Sequence, residues 1–181
     1  MTAGKSDALR SARGGAGEHS HACRATGVCI DCLAESTLAK ELTESQIQTL
    51  STIIEPRILS KGEVLITEGE HDDRLYSIVR GDIEVSLERG HNQEVLAKIG
   101  PGNLIGELAF LDGLKRTATV SAISDQCCIY ALHRSKLESL LESEPLLVYN
   151  VMRAIVRSAH RTVGTMDAVY ADLMQYISGA R

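Results

Sequence analysis

The chain of 181 residues has very few aromatic side chains, with a single phenylalanine, Phe110, and no tryptophan. Single-stranded nucleic acids are commonly bound by stacking their bases on aromatic side chains, so this mode of binding is poorly supported. The net charge of −5 and the lack of a dense lysine or arginine block also differ from the basic surface of nucleic-acid-binding proteins. We therefore expect no nucleic acid among its partners.

Long apolar runs are missing as well. No run approaches the roughly 20 residues that a helix needs to cross a bilayer, and the polar, glycine-rich N-terminus lacks the apolar segment of a secretion signal. The five cysteines are an odd number in a chain without an export signal, which favours a reducing compartment. The sequence thus predicts a cytoplasmic protein with no membrane partner.

Residue patterns typical of enzymes are also absent from the sequence. It contains no Ser-His-Asp arrangement, no P-loop and no paired-carboxylate pattern. The alternating segments that predict strands lack the His-x-His and glutamate set of a metal enzyme built on a β-roll. We therefore predict that the protein is not an enzyme.

The order of patterns predicts three parts. Residues 1–33 form a polar, glycine-rich tail that carries cysteines. Residues 34–143 start with helical spacing and continue as short alternating strands separated by glycine turns, which is typical of an antiparallel sandwich or jelly roll. Residues 144–181 show helical spacing again. The predicted fold class is therefore mainly β with flanking helices.

Several local signals predict where the helices begin and end. Thr43 and Gln46 have the spacing of a capping box, and the apolar helical spacing continues to Ile54 until Pro56 ends it. After the strands, Ser135 is predicted to cap a further short helix.

The last part carries an apolar seam whose members step by four and three residues. This heptad spacing is typical of coiled coils, and it favours a parallel dimer over a single helix packed on its own roll. The seam consists of Val148, Met152, Ile155, Ala159, Thr162, Met166, Val169, Leu173 and Tyr176. We expect a homodimer through this helix.

The most informative run lies between Ile105 and Val120. It places Gly106 and Glu107 at the start of a short helical turn, and Arg116 follows nine residues after the glutamate. Backbone N–H groups at a helix start and a guanidinium can together bind a phosphate. A glutamate would repel a phosphate but can accept a hydrogen bond from a sugar hydroxyl. The run therefore predicts a ligand with a phosphate beside a ribose.

This run resembles the phosphate-binding segment of the cyclic-nucleotide-binding domains, in the superfamily of the cAMP receptor protein and the fumarate–nitrate regulators. The resemblance implies a double-sheeted antiparallel jelly roll, a dimerisation helix after it, and cAMP or cGMP as the ligand. It implies that Arg116 pairs with the cyclic phosphate and Glu107 with the ribose 2′-hydroxyl. Lys115 stands where the family usually has a proline. The implied binding residues are Gly106, Glu107, Leu108, Ala109, Arg116 and Thr117.

In the relatives that the resemblance brings together, an output segment accompanies this domain, such as the winged helix-turn-helix of the transcription factors. The sequence shows none after the predicted dimer helix. We therefore expect a stand-alone, dimeric module that senses cAMP or cGMP. It would act on a protein partner that the sequence does not identify, buffer the ligand, or use the dimer helix itself as its output.

The cysteines indicate an alternative function. Cys23, Cys29 and Cys32 have C-x5-C-x2-C spacing, and Cys128 lies late in the predicted roll. Thiolates at such spacing can hold zinc or an iron–sulfur cluster. The set resembles that of the oxygen-sensing fumarate–nitrate regulators, which implies a [4Fe–4S] redox sensor. The other interpretation is that the cysteines are free thiols in a tail and small apolar side chains in the core.

Overall fold

The computed structural model describes residues 27–90 and 92–179, without the side chains of residues 165–173, 176, 177 and 179. Within this part of the chain, eight strands form two four-stranded sheets, in which every pairing is antiparallel. The strands are β1 (Ile54–Ser60), β2 (Val64–Ile66), β3 (Arg74–Arg80), β4 (Ile83–Arg89), β5 (Asn92–Ile99), β6 (Leu104–Ile105), β7 (Thr119–Ala122) and β8 (Gln126–His133). The first sheet has the order β1-β8-β3-β6 and the second β2-β7-β4-β5. This confirms the predicted antiparallel jelly-roll class.

Helices flank the sheets at three points of the chain. They are α1 (Ile30–Ala34), α2 (Glu44–Ile53), α3 (Glu107–Asp112), α4 (Arg134–Glu138) and α5 (Pro145–Gly179). Two precede the first strand, α3 connects β6 to β7, and two follow β8. None of the helices in the described residues is both long and apolar enough to span a membrane.

Two apolar clusters form the core. The alternation of side chains along β8 separates them, because successive residues of a strand point to opposite faces. Ile129 and Ala131 belong to the cluster shared by the two sheets. Tyr130 and Leu132 belong to the cluster that the helices cover. Strand β8 is therefore buried on both faces, which explains its nearly continuous apolar sequence.

The structure confirms the capping box and corrects the end of its helix. Thr43 Oγ1 accepts from the Gln46 amide at 3.3 Å, and Gln46 Oε1 accepts from the Thr43 amide at 3.1 Å. The helix ends at Ile53, whereas Ile54 and Pro56 belong to strand β1. This strand lies at a sheet edge, where a proline without an N–H group is tolerated.

The predicted Ser135 cap is wrong. The N-cap of α4 is His133, which makes no capping hydrogen bond through its side chain, and Ser135 lies inside the helix. Strand β8 runs directly into α4, so the junction residue has the extended backbone that an N-cap needs.

The first half of the predicted seam packs on its own domain. Val148 is 6% exposed and Ile155 is fully buried, both in the helix-covered cluster. The same stretch of α5 exposes a different stripe, in which Tyr149, Val156 and Val163 are 50–60% exposed. The side chains of the later seam residues Met166, Val169, Leu173 and Tyr176 lie outside the described part.

Candidate functional site

The site begins with a close approach between Gly106 and Arg116. Gly106 directly precedes α3 and has a left-handed backbone, with φ of 83°. The Nη1 of Arg116 donates to the Gly106 carbonyl at 3.0 Å. A Cβ atom at position 106 would lie 2.0 Å from that nitrogen. Both the backbone angle and the contact therefore require glycine.

Arg116 is buried, with only 4% of the residue exposed. Its Nη2 donates to the backbone carbonyl of Arg74 and lies 3.0 Å from Oδ2 of Asp72. Its Nε is also buried and has no hydrogen-bond partner among the described residues. A buried donor without an acceptor is costly, so this N–H group is open to an acceptor supplied by a ligand.

Asp72 provides the counter-charge of Arg116 and is itself held by two other side chains. Its Oδ1 accepts from Arg74 Nε at 2.7 Å, and its Oδ2 accepts from the Tyr76 hydroxyl at 2.8 Å. Burial alone would raise the pKa of Asp72, but the bonds from Arg74 and Tyr76 and the charge of Arg116 outweigh it and lower this pKa. Burial, followed by the bond to Asp72, raises the pKa of Tyr76 to about 12. At neutral pH the carboxylate is therefore ionised and the phenol protonated.

The backbone around Arg116 is tied to the turn that follows β2. The amide of Arg116 donates to the Glu70 carbonyl at 2.8 Å, and the Gly69 amide donates to the Arg116 carbonyl at 2.8 Å. These two bonds fix the chain just before β7, so the position of the guanidinium follows from the fold of the roll.

Glu107 connects the site to the long helix. It is the first residue of α3, and its Oε1 accepts a hydrogen bond of 2.9 Å from the Ser158 hydroxyl of α5. Ser158 is only 7% exposed. The carboxylate predicted to bind a ribose therefore already contacts a hydroxyl, and that hydroxyl belongs to α5.

The other predicted binding residues lie close to Arg116 and Glu107 in the chain. Leu108 is exposed and Ala109 is buried in the first turn of α3, whose N-cap Gly106 has no side chain to cap it. Thr117 is exposed beside Arg116. The structure thus brings the N-cap of α3 into contact with the guanidinium, while the binding role of these residues stays a prediction.

A second arginine, Arg134, binds the Ala109 carbonyl, which also accepts from the amide of the C-cap residue Gly113. Arg134 Nη2 donates to the carbonyl of Ala109 at 2.8 Å, and its guanidinium carbon lies 5.9 Å from the centre of the Phe110 ring. Helix α3 is therefore held by Arg116 at its N-terminal carbonyl and by Arg134 near its C-terminus.

Helix α5 has a further attachment through Glu41, which precedes α2. Its carboxylate pairs with Arg153 through one oxygen and with Arg157 through the other. Both arginine side chains are substantially exposed, at 40% and 56%.

Sequence reasoning missed Asp72, Arg74, Arg134 and Ser158. Arg74 lies 42 residues from Arg116, and no spacing rule connects them. Ser158 had a usable signal, because it is a polar residue at a position where the helical spacing of α5 expects a buried apolar one.

The described cysteines do not converge on a metal. Cys29, Cys32 and Cys127 are free, and Cys128 is disulfide-bonded. Burial, then the neighbouring Cys29 side chain, raise the pKa of Cys32 to about 12. Residues 27–90 and 92–179 contain no group of three or more His, Cys, Asp or Glu side chains placed to hold a metal ion. The predicted ligand Cys23 lies outside the described residues, and the iron–sulfur alternative is not supported.

Comparisons with known proteins agree with this geometry. Residues 56–144 match the cyclic nucleotide-binding domain. The solved N-terminal domain of a transcriptional regulator from Streptomyces coelicolor is 30% identical, with a TM-score of 0.63 over 75% of this chain and 95% of that one. The regulatory domain of Toxoplasma gondii PKA, solved with cAMP, is 28% identical, with a TM-score of 0.54 over 61% of this chain and 42% of that one.

A curated relative is the CRP-like cAMP-activated global transcriptional regulator of Mycobacterium tuberculosis. It is 26% identical over 145 residues, which are 79% of this chain and 64% of the regulator. The chain thus spans less than two thirds of that relative's length. The roll, the glycine–arginine contact and the matched segment lead to one assignment. The chain belongs to the cyclic nucleotide-binding domain family.

Proposed function

We propose that this protein is a regulatory, non-catalytic cytoplasmic module that binds cAMP at the start of α3 and transmits the binding to α5. The observation that carries the proposal is the buried guanidinium of Arg116, which has an unpartnered Nε. A buried cation with a donor to spare suits a phosphate monoanion.

The phosphate would compete with Asp72 for Arg116. Asp72 keeps its hydrogen bonds from Arg74 and Tyr76 when Arg116 turns toward a ligand, so the carboxylate is not left without donors. The exchange of one anion for another keeps the guanidinium neutralised throughout. The net affinity for the ligand therefore depends on the difference in free energy between the Arg116–phosphate pair and the Arg116–Asp72 pair.

The ribose would bind to Glu107. Only Oε1 of this carboxylate accepts from Ser158, and a carboxylate has further lone pairs for a sugar hydroxyl. Glu107 would then join the ligand to α5. A ligand shifts an equilibrium only through its differential affinity for two states, and this shared carboxylate supplies such a difference.

The proposed nucleobase is adenine. The mycobacterial regulator is described as cAMP-activated and the Toxoplasma domain was solved with cAMP, which favours adenine. The exposed Thr117 is compatible with either purine, so cGMP is the competing ligand.

We also propose a homodimer through α5. The exposed stripe repeats every seven residues at Tyr149, Val156 and Val163, which is the spacing of a coiled-coil seam. A second copy of the same helix would cover this stripe, whereas the buried Val148 and Ile155 hold the helix to its own roll.

Calorimetric titration tests the binding proposal. The wild type should bind cAMP more tightly than cGMP and both more tightly than linear 5′-AMP. Arg116→Ala should lose roughly 30- to 850-fold in affinity, equivalent to about 2–4 kcal/mol. Lys115→Ala removes an exposed neighbouring charge and is the matched control, with affinity near that of the wild type. Equal cAMP affinity in Arg116→Ala and Lys115→Ala would refute the site.

Light scattering coupled to size-exclusion chromatography tests the dimer. Val156→Glu with Val163→Glu should yield monomers, because like charges would face each other across the seam. His160→Glu adds a charge at another exposed position of the same helix and should leave the dimer intact. A wild type that is monomeric at every concentration would exclude the proposed seam.

A further inference from the structure

Outside the nucleotide site, the structure places two thiols in contact at the start of α1. Cys29 is the N-cap of this helix and Cys32 is its third residue. The amide of Cys32 donates to the Sγ of Cys29 at 3.4 Å, and burial, followed by the Cys29 side chain, raises the pKa of the Cys32 thiol. Both residues are partly exposed, so small reagents can reach them.

The two cysteines can reach disulfide geometry if the start of the helix moves. Residues three apart on a helix have Cβ atoms about 5–6 Å apart, whereas a disulfide needs about 3.5–4.5 Å, so the backbone must bring the two Cβ atoms closer. Cys29 is the N-cap and has an extended backbone, so this movement can take place at the N-terminal end of α1. The Cys-x-x-Cys spacing is also the one found in disulfide oxidoreductases.

Hydrogen bonds at Cys29 and apolar packing beside Cys32 connect the two cysteines to the core. The hydroxyl of Tyr130 accepts from the Cys29 amide at 2.8 Å and donates to the Cys29 carbonyl at 3.3 Å. Leu33, next to Cys32, is fully buried in the cluster that includes Val151 and Ile155 of α5. A change at the two sulfurs is therefore transmitted to side chains that hold the long helix.

We propose that Cys29 and Cys32 form a reversible redox site, which a low-molecular-weight disulfide such as oxidised glutathione converts to an intrachain disulfide. The Cys29 sulfur attacks the external disulfide as a thiolate, forms a mixed disulfide and releases one thiol. The Cys32 thiol, whose pKa is raised by burial, then attacks the Cys29 sulfur of that mixed disulfide, loses its proton to the departing thiolate and releases the other thiol. Two protein thiols are oxidised and one external disulfide is reduced to two thiols, while their protons pass to the released thiolates.

Such a site fits a reducing compartment. Disulfides in cytosolic proteins are usually transient and redox-sensing, and the pair would return to the dithiol when the external thiols are reduced again. The site needs neither a metal nor the nucleotide, so its test is independent of the test of cyclic-nucleotide binding.

Mass spectrometry of the full chain after oxidation tests the site directly. Trypsin should release residues 25–40 as one peptide, which contains Cys29 and Cys32 and no other cysteine. After treatment with oxidised glutathione, blocking of free thiols and non-reducing digestion, we expect this peptide to be lighter than the dithiol by two hydrogens and to carry no alkyl group. Reduction before blocking should restore two alkylated thiols.

Matched variants complete the experiment. Cys29→Ser and Cys32→Ser should each abolish the closed peptide, whereas Cys127→Ser, which removes a buried free thiol elsewhere, should leave it unchanged. A wild-type peptide that keeps two blockable thiols, stays doubly glutathionylated, or is linked to Cys23 or Cys128 would overturn the proposal.

Thermal unfolding tests whether the disulfide stabilises the folded protein. The oxidised wild type should melt on the order of 5 °C higher than the reduced protein, because the cross-link restricts the unfolded chain. Cys29→Ser should show no such difference between the two conditions. A closed disulfide without any shift would mean that strain in the folded state cancels this stabilisation and would contradict the expectation.

Discussion

Arginines are held in two different ways in this protein. The Arg116 side chain is 3% exposed and bonds two backbone carbonyls and Asp72. Arg153 and Arg157 are 40% and 56% exposed and share Glu41. Water can replace a lost partner at the second site but not at the first. The buried arginine is therefore the one whose partner can be exchanged for a ligand with a large energetic effect.

Gly106→Ala, which disturbs the buried arginine, should reduce stability and cAMP affinity more than any of the changes that follow. The new Cβ would meet Arg116 Nη1 at 2.0 Å, so the guanidinium must leave its position, and the left-handed backbone adds strain. We expect a loss of about 3 kcal/mol or more in the free energy of unfolding, and cAMP binding too weak for calorimetry.

Gly62→Ala is the matched control for that change. Gly62 has the same φ of 83°, but a Cβ there would meet nothing within 4 Å. Its cost should be only the backbone strain, about 1–2 kcal/mol, with nucleotide affinity retained. Equal effects of the two variants would show that the contact with Arg116 is unimportant.

Asp72→Asn should lower the stability of the fold and raise the affinity for cAMP. It removes the internal anion of Arg116, so the fold should lose about 1–3 kcal/mol. The same change removes the competitor of the phosphate, so cAMP should bind several-fold more tightly. Denaturant unfolding and calorimetry on the same variant measure both effects, and weaker binding would show that Asp72 does not compete with the ligand.

The lowered pKa of Asp72 also predicts a pH dependence of the wild type. A lowered pKa in the folded state stabilises the protein above the unfolded-state value, about 3.9, and this contribution is lost as the pH falls through the folded pKa. The melting temperature should therefore drop below about pH 4, and less steeply in Asp72→Asn.

Ser158→Ala should have a moderate effect. It removes the hydroxyl that α5 offers to Glu107, which should cost about 1 kcal/mol of stability. The change in α5 amide-hydrogen exchange on adding cAMP should become smaller, while cAMP still binds. Ser178→Ala removes a hydroxyl that bonds only within α5 and serves as control. An unchanged exchange response in Ser158→Ala would exclude Glu107 as the connection.

The smallest effect should follow Glu41→Gln at the exposed arginine pair. Surface ion pairs contribute about 0–1 kcal/mol and are screened by salt. The variant should therefore melt slightly below the wild type in low salt and at the same temperature in 1 M salt. A large, salt-independent loss would mean that α5 depends on Glu41 as strongly as the site depends on Arg116.

Local signals predicted much of this molecule. The capping box at Thr43 and Gln46 is formed, and the Gly106–Arg116 spacing gives a close contact, because both depend on nearby residues. Pro56 was interpreted as the end of a helix, since only the sheet order reveals the edge strand that tolerates it. Asp72 could not be predicted as a partner of Arg116, because their contact depends on the pairing of distant strands.

The two arginines at either end of α3 have a consequence for how the segment moves. A ligand that draws Arg116 away releases the Gly106 carbonyl, whereas the bond from Arg134 to Ala109 is untouched. We expect α3 to rotate about its C-terminal end, which Arg134 keeps in place. The N-cap Gly106 and the first residue, Glu107, should therefore move more than the residues after Ala109.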